Sequence, residues 1–179
     1  MFSNSFATEI ASELIELLVD SCERVQLVGS LRRGKSSVKD IDIIVIPKFE
    51  DSRDDSLFGE PVKQNLLDRK LSELCLEAYL VLESNGGKIK RFFRPIQGVM
   101  VPIDIYIATE ANWWTLLLIR TGSREHNIRL ASRAIELHMQ LKADGSGLLS
   151  PGGSLIQMGS EEDIFKHLRL PYRPPEERE

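Results

Sequence analysis

Two short segments of the sequence hold the residue types that could do chemistry together. Asp40 and Asp42 are two positions apart in a β-branched run, and Asp104 lies in a second such run. Side chains two apart on a strand share a face, so Asp40 and Asp42 repel each other unless a cation lies between them. If the two runs pair, Asp104 reaches the same point. Three carboxylates with open positions suit Mg²⁺, which also takes substrate phosphates as ligands, and two such ions can bridge the attacking and leaving oxygens of a displacement.

An isolated Asp-Ile-Asp can equally be a strand end, but the segment just upstream favours a site. Gly29-Ser30 follows a short β run and precedes Arg32-Arg33-Gly34-Lys35. Glycine lets backbone N–H groups approach an anion closely, and a following helix N-terminus attracts phosphate. Ser30 can donate its hydroxyl, and Arg33 can form a bidentate contact with phosphate oxygens. A phosphate cradle and a metal site therefore lie about ten residues apart.

Composition limits the class of protein that carries these segments. The 179 residues, 42% of them hydrophobic, can fill a core in one domain or two small lobes, which excludes wholesale disorder. No apolar run is long enough to span a membrane. The net charge is −4, so any contact with nucleic acid must use local basic patches. Cys22 and Cys75 have no metal-ligand spacing and indicate reduced thiols, and no signal peptide is evident. We therefore expect a cytoplasmic protein, inside a bacterial or virus-infected cell, that is not secreted.

Hydrophobic periodicity predicts the elements that position the acidic residues. Residues 6–22 and 63–77 have helical spacing, and 48–61 is polar and acidic, which indicates a mobile loop. Strands are expected at 24–28, 40–46 and 99–107, and a hairpin at 79–83 and 88–93 around Asn85-Gly86. Pro102 cannot donate to a ladder, so we expect an edge or a bulge there. The prediction is an α+β lobe over 1–108, with a mixed or antiparallel sheet of about five strands and helices on one face.

The pattern changes after residue 108. Residues 111–119 and 123–138 have helical spacing, split by Thr121-Gly122, and turns surround short strands near 144–147 and 151–153. A last short helix opens at Ser160 with acidic residues at its positive end. A smaller lobe over 109–179 is therefore expected, ending in a proline-rich extended tail.

Several of these segments resemble a known family when taken together. Gly-Ser-Leu-Arg-Arg-Gly at 29–34, followed by Asp40-Ile-Asp42, resembles the polymerase-beta-type nucleotidyltransferases. The segments 101–106, 120–127, 161–165 and 170–179 are similar to segments of family X DNA polymerases, in family order. The resemblance implies a nucleotidyltransferase palm followed by a small thumb. It also implies a template-directed DNA polymerase that adds nucleotides to a primer 3′-hydroxyl and fills short gaps in DNA repair or replication.

The resemblance also implies a role for each matching residue. Asp40 and Asp42 would bind the nucleotide-linked Mg²⁺, and Asp104 would join them on the catalytic Mg²⁺ and help to take the 3′-hydroxyl proton. Mn²⁺ would be a substitute for either ion. The contacts to the nucleoside triphosphate would come from Gly29, Ser30 and Arg33 on the phosphates and from Thr121, Gly122 and Asn127 on the sugar and base. The partners implied are gapped or primed DNA and a deoxynucleoside triphosphate. A monomer is expected, with no membrane contact, and an accessory repair protein could supply grip on DNA.

Two departures from the family pattern bear on function. Ile119-Arg120 stands where the family has Tyr-Phe, the residues for sugar discrimination and base stacking. Only one helix precedes the cradle, so the chain resembles a minimal palm-plus-thumb form that is expected to lack 5′-deoxyribose-phosphate lyase activity and to synthesise distributively.

Two other functions remain open on the sequence. The first is a nucleotidyltransferase that acts on another acceptor, such as an RNA end, a protein or a small molecule. The second is a non-catalytic DNA- or nucleotide-binding module, although such a module has no need for a repulsive acidic cluster. Two groups of basic residues could contact DNA phosphates or simply form solvated faces: Arg120, Arg124, Arg129 and Arg133 in the C-terminal lobe, and Lys88, Lys90, Arg91 and Arg94 in the hairpin.

Overall fold

The fold, seen in a computed structural model that describes residues 1–52 and 62–179, is built on a five-stranded mixed sheet. The strands are β1 (Phe2–Ser3), β2 (Cys22–Leu27), β3 (Ser37–Val38), β4 (Ile41–Pro47), β5 (Phe49–Ser52), β6 (Val62–Asn65), β7 (Val81–Asn85), β8 (Ile89–Ile96), β9 (Val99–Ile107), β10 (Gln140–Leu141), β11 (Leu148–Leu149) and β12 (Leu155–Ile156). The main sheet has the order β2-β4-β9-β8-β7, in which only β4 and β9 are parallel. The predicted α+β class with a mixed sheet is confirmed.

In residues 1–52 and 62–179, six α-helices surround this sheet and form the C-terminal part of the chain. They are α1 (Asn4–Leu18), α2 (Gly29–Arg32), α3 (Leu66–Leu76), α4 (Trp113–Thr121), α5 (Arg124–Glu136) and α6 (Glu161–His167). The side chains of Ser3, Asn65, Ser123 and Ser160 cap four of them by accepting a backbone N–H bond. Among the described residues, no helix is long and apolar enough to cross a membrane.

The segment between β4 and α3 differs from its prediction. The helix expected from residue 63 begins at Leu66, because β6 pairs with β5 instead, with Phe49 opposite Asn65. The predicted loop at 48–61 therefore contains strand β5, and its residues 53–61 lie outside the described residues. Likewise, the helix predicted for 6–22 ends at Leu18, and Cys22 already belongs to β2.

The core is divided by the main sheet. Side chains of Ile41, Ile43 and Val45 pack with α1 and α3 on one face, while Ile44 and Ile46 pack with α4 on the other. Strand β4 is therefore buried on both faces, which explains its continuous β-branched run. A third cluster joins α4, α5 and α6. Helix α4 thus contributes to two cores and connects the sheet to the C-terminal helices.

Pro102 occupies the position in β9 where its missing N–H does no harm. It pairs with Phe93 of β8, while the ladder between β9 and β4 begins one residue later, at Ile103. At Pro102, β9 therefore has a neighbour on one side only, which is the edge environment that proline requires.

A buried ion cluster joins α2 to the C-terminal end of the chain. The carboxylate of Glu161 accepts bonds from Arg32 Nη2 at 2.6 Å and from Arg178 Nη1 at 2.7 Å. Arg178 is fully buried, and its backbone oxygen accepts from Ser123 N. Burial works to raise the pKa of Glu161, but hydrogen bonds from Arg32 and Arg178 outweigh it and hold that pKa below its ordinary value. Glu161 is therefore the shared anion between two guanidinium groups.

Replacement of Glu161 by Gln should reduce stability strongly. The variant leaves two guanidinium groups next to a neutral amide, and breaking a buried pair costs about 3 kcal/mol or more. Urea unfolding measures the difference. The matched control is Glu162→Gln, an exposed neighbour in the same first turn of α6. Equal unfolding midpoints for the two variants would contradict this account of the cluster.

Candidate active site

The three predicted aspartates meet where β4 and β9 run side by side. Asp42 lies directly opposite Asp104 in the parallel ladder, and Asp40 lies just before β4. All three side chains are half-buried. The two strands pair as the sequence analysis assumed, and their register brings Asp104 next to Asp40 and Asp42.

Tyr106 connects two of these carboxylates. Its hydroxyl lies 3.3 Å from Asp42 Oδ1 and 3.2 Å from Asp104 Oδ2, so its single proton can be donated to either. The guanidinium of Arg120 lies over the Tyr106 ring, 4.3 Å from the centroid, which is within the range of a cation–π contact. Tyr106 is thus a hydrogen-bond donor to the aspartates, and Arg120 packs on the ring of Tyr106.

The pKa values of the aspartates reflect their burial and the proximity of like charges. Burial, followed by the neighbouring charges of Asp40 and Asp104, raises the pKa of Asp42 to about 7, although Tyr106 and Arg120 act in the opposite direction. Burial and Asp104 also raise the pKa of Asp40. These are the shifts expected when carboxylates share a site without a cation between them.

The chemistry of these donors fits Mg²⁺. A divalent cation would relieve the repulsion that raises the two pKa values, and hard cations prefer carboxylate oxygens. Within residues 1–52 and 62–179, no group of three or more acidic, histidine or cysteine side chains is arranged so that it could hold a metal ion by itself. The three aspartates therefore form an open acidic cluster, in which other ligands would complete the coordination.

Gly29 is held against this cluster by its backbone conformation. Its φ is +65°, and a Cβ at this position would lie 2.0 Å from Asp42 Oδ2. Any other residue would strain the backbone and collide with the carboxylate. The start of the cradle and the acidic cluster are therefore in direct contact.

The side chain of Arg33 reaches from the cradle to the end of α4. One terminal nitrogen, Nη1, donates to the backbone oxygen of Thr121, and a Cβ on Gly122 would lie 3.0 Å from that nitrogen. Within the described residues, Arg33 Nε is buried with no hydrogen-bond partner. Arg33 is thus fixed at one end and keeps an unsatisfied donor.

A cavity of about 520 Å³ lies between the cradle and α5. This volume is typical of small-molecule sites. One wall carries the sequence-predicted residues Gly29, Ser30, Arg33, Asp40 and Asp42, and the other carries Gly122 and Asn127. Seven of the nine predicted site residues therefore meet around one cavity.

The other two predicted residues do not line this cavity. Thr121 is fully buried, where its hydroxyl donates to Leu117 O and accepts from Arg32, so only its backbone serves the site through Arg33. This corrects the expected side-chain contact of Thr121 with the nucleotide. Asp104 lies beside the cavity, with Oδ1 3.5 Å from Arg91 Nε.

Sequence reasoning missed some residues of this site. Tyr106 lies in the predicted strand 99–107, but no role was predicted for it. Its position two residues after Asp104 places both side chains on one face of β9. The sequence marks Arg120 as a departure from the family pattern and as a member of a basic group, but not as a neighbour of the aspartates; in the structure it lines the cavity beside Arg124. No pattern in the sequence signals their contacts with the acidic cluster.

The basic hairpin residues are engaged within the protein. Lys90 is buried and pairs with Asp68 at 2.8 Å, Lys88 pairs with Asp144 at 3.1 Å, and Arg94 stacks on Tyr79. Arg91 faces Asp104. These contacts favour a structural role for the hairpin charges over contact with DNA.

Comparison with known proteins gives relatives over nearly the whole chain. Residues 116–179 match the family described as DNA polymerase beta thumb. The chain is 26% identical over 183 residues to the DNA polymerase/3′-5′ exonuclease PolX of Bacillus subtilis, which covers 99% of this chain and 28% of that protein.

Two mammalian proteins are similar to the same degree. DNA polymerase lambda of Rattus norvegicus is 26% identical over 84% of this chain and 28% of its own length. The DNA-directed DNA/RNA polymerase mu of Homo sapiens is 27% identical over 86% of this chain and 36% of its own length. The chain therefore spans about a third of the length of these relatives.

Replacement of Asp42 by Asn should stabilise the protein in the absence of metal. Its folded-state pKa of about 7 lies above the ordinary value of 3.8, so the stability of the metal-free protein falls as pH rises between these values. At pH 7.5 in EDTA the variant should gain about 1–3 kcal/mol, or about 2–4 °C in Tm for each kcal/mol.

Thermal unfolding from pH 5 to 8 measures this effect. The control is Asp20→Asn, an exposed aspartate outside the cavity. A loss of stability in Asp42→Asn at pH 7.5, or a gain equal to that of the control, would show that the carboxylates do not oppose one another.

Proposed function

Since the chain is a relative of the family X DNA polymerases, which are nucleotidyltransferases, we propose that it transfers a nucleotide from a deoxynucleoside triphosphate to the 3′-hydroxyl of a DNA primer. The predicted family resemblance and the predicted enzyme class are confirmed by the relatives described above. Mg²⁺ dependence, templated synthesis and the filling of short gaps are the finer parts of the proposal.

The observation that carries the proposal is the shared cavity. Anion-binding groups, Ser30 and Arg33, and metal-binding groups, Asp40 and Asp42, line the same wall. A triphosphate in this cavity would meet cationic donors and, beside them, the acidic cluster. This is the arrangement needed for phosphoryl transfer, in which positioning and charge neutralisation provide most of the catalysis.

Each residue has a defined task in this proposal. Asp40, Asp42 and Asp104 would hold two Mg²⁺ ions, which neutralise charge on the phosphates and the attacking oxygen. Ser30 and the guanidinium group of Arg33, both of which line the cavity, would donate to the outer phosphates. Gly122 and Asn127 would bound the nucleoside on the side of α5.

Asp104 would serve the acceptor in this proposal. It belongs to the acidic cluster but lies outside the cavity. A primer 3′-hydroxyl that approaches from this side would have a carboxylate to take its proton, while the cavity holds the α-phosphate that it attacks. The new bond joins the 3′-oxygen to the α-phosphorus, and the bond to the leaving pyrophosphate breaks.

Primer extension across a one-nucleotide gap tests the proposal. Each deoxynucleotide is offered singly to the wild type with Mg²⁺ and then with Mn²⁺, and Asp42→Asn and Asp20→Asn are compared with it. We expect addition of only the complementary nucleotide, a loss of about 10²–10³-fold or more in Asp42→Asn, and no change in Asp20→Asn.

The other outcomes identify a different reaction. Addition regardless of the template would indicate a terminal transferase. No addition with either metal would exclude a DNA primer as the acceptor and leave a nucleotidyltransferase that acts on another hydroxyl. Full activity in Asp42→Asn would overturn the assignment of the metal site.

Tyr106→Phe should slow nucleotide addition without abolishing it. The variant keeps the ring beneath Arg120 but loses the hydroxyl that orients Asp42 and Asp104. Partners that orient metal ligands typically contribute about 10–100-fold to metal affinity or activity. The expected result is a higher Mg²⁺ concentration at half-maximal rate, with little change in the KM for nucleotide.

The matched control is Tyr79→Phe. Tyr79 stacks with Arg94 and does not line the cavity. An unchanged Mg²⁺ dependence in Tyr106→Phe, or the same change in both variants, would show that the hydroxyl does not position the aspartates.

A further inference from the structure

A second, smaller cavity lies on the other side of α5. Its volume is about 160 Å³, and its walls include His126, Arg129, Arg133, Phe165, Pro171 and Arg173. We call it the rear cleft. Residues of α5 at 126, 129, 130 and 133 face the rear cleft, whereas 124, 127, 128 and 131 face the 520 Å³ cavity. Both sets have helical spacing, so α5 separates two distinct cavities.

The floor of the rear cleft contains an unsatisfied polar side chain. His126 is 2% exposed, and in the described parts of the chain neither of its ring nitrogens has a hydrogen-bond partner. Its ring packs beside Phe165, with centroids 5.8 Å apart. A buried polar group without a partner costs free energy that an apolar ring would not. The histidine therefore indicates a ligand that supplies the missing partner.

Positive charge surrounds this ring. Arg129, Arg133 and Arg173 line the cleft, and the buried guanidinium of Arg178, near the C-terminus, lies 5.7 Å from the centroid of the Phe165 ring. Burial first, then the charges of Arg178, Arg129 and Arg173, lower the pKa of His126 to about 4. The ring is thus neutral at physiological pH, with one N–H available as a donor.

The existing partners of these arginines leave room for an anion. Arg133 donates to Leu168 O at 3.1 Å and to Glu136 at 2.7 Å, and Arg129 donates to the backbone oxygen of Glu179. Arg173 forms no ion pair with any described carboxylate. Three acidic residues of the C-terminal tail line a separate open groove that also includes Arg129 and Arg173: Glu176, Glu177 and Glu179.

We propose that the rear cleft binds a phosphate group, through the N–H of His126 and the guanidinium groups of Arg129, Arg133 and Arg173. A tetrahedral oxyanion accepts bonds from several directions, and arginine pairs with it through two parallel bonds. The cleft lies below the size range of sites for whole nucleotides, so the ligand is a free phosphate or one terminal phosphate of a nucleic acid strand. The proposal does not depend on the polymerase function.

Binding of inorganic phosphate to the full chain tests the proposal. The protein used carries Arg33→Gln, which removes the main competing anion contact in the 520 Å³ cavity. Titration is followed by the imidazole ¹⁵N signals of the three histidines and by calorimetry. We expect saturable binding that shifts only the His126 signals, while sodium chloride and sodium acetate at equal ionic strength do not shift them.

Two variants and a control locate the site. His126→Phe and the exposed Arg173→Gln should each weaken phosphate binding about tenfold or more, as the loss of a charge-assisted or buried hydrogen bond predicts. Arg169→Gln removes an equal charge from the exposed end of α6, outside the cleft, and should bind as before. Far-UV circular dichroism checks that each variant is folded.

A second titration identifies the source of the phosphate. A short oligonucleotide with a 5′-phosphate is compared with the same strand ending in a hydroxyl. A His126 shift with the phosphorylated strand alone indicates a strand end, and a shift with inorganic phosphate alone indicates the free ion. No His126 shift with either phosphate, or equal affinity in His126→Phe and the Arg33→Gln background, overturns the proposal.

Discussion

The site depends on one constraint: like charges are held together at the end of a buried strand. Asp42 and Asp104 are direct neighbours in a parallel ladder, so neither can move away without breaking the register of β4 and β9. Burial of Asp42, together with the neighbouring charges of Asp40 and Asp104, raises its pKa to about 7. Neighbouring positions are therefore restricted as well, because Gly29 must lack a side chain and Tyr106 must present its hydroxyl.

A second set of charges determines where α5 lies relative to this cluster. The adjacent residues Arg32 and Arg33 have different tasks. Arg32 donates to Glu161 and Thr121, whereas Arg33 donates to the Thr121 backbone and lines the cavity. Buried ion pairs add little stability compared with apolar packing, but they require one geometry. The Arg32–Glu161–Arg178 cluster therefore fixes the distance between the two walls of the cavity.

The sequence predicted the strands that carry the aspartates better than it predicted what surrounds them. A β-branched run identifies β4 and β9, and period-2 alternation identifies the face of each side chain, since both signals are local. The start of α3 was wrong because β6 pairs with β5, a contact that local periodicity does not include. The contacts of Tyr106 and Thr121 escape sequence reasoning for the same reason: each depends on a partner many residues away, Asp42 for the first and Arg32 for the second.

Net charge carries little information about the site for a related reason, since it averages over the whole surface of the protein. The net charge of the chain is −4, yet three arginines line the 520 Å³ cavity: Arg33, Arg120 and Arg124. The charges that line the cavity determine its local electrostatics, because acidic residues beyond the screening length of about 8–10 Å contribute little. Arg120 contributes twice, because it stacks on Tyr106 and lowers the pKa of Asp42 while it faces the cavity. Arg120 therefore places positive charge at the point where the lining of the cavity meets the acidic cluster.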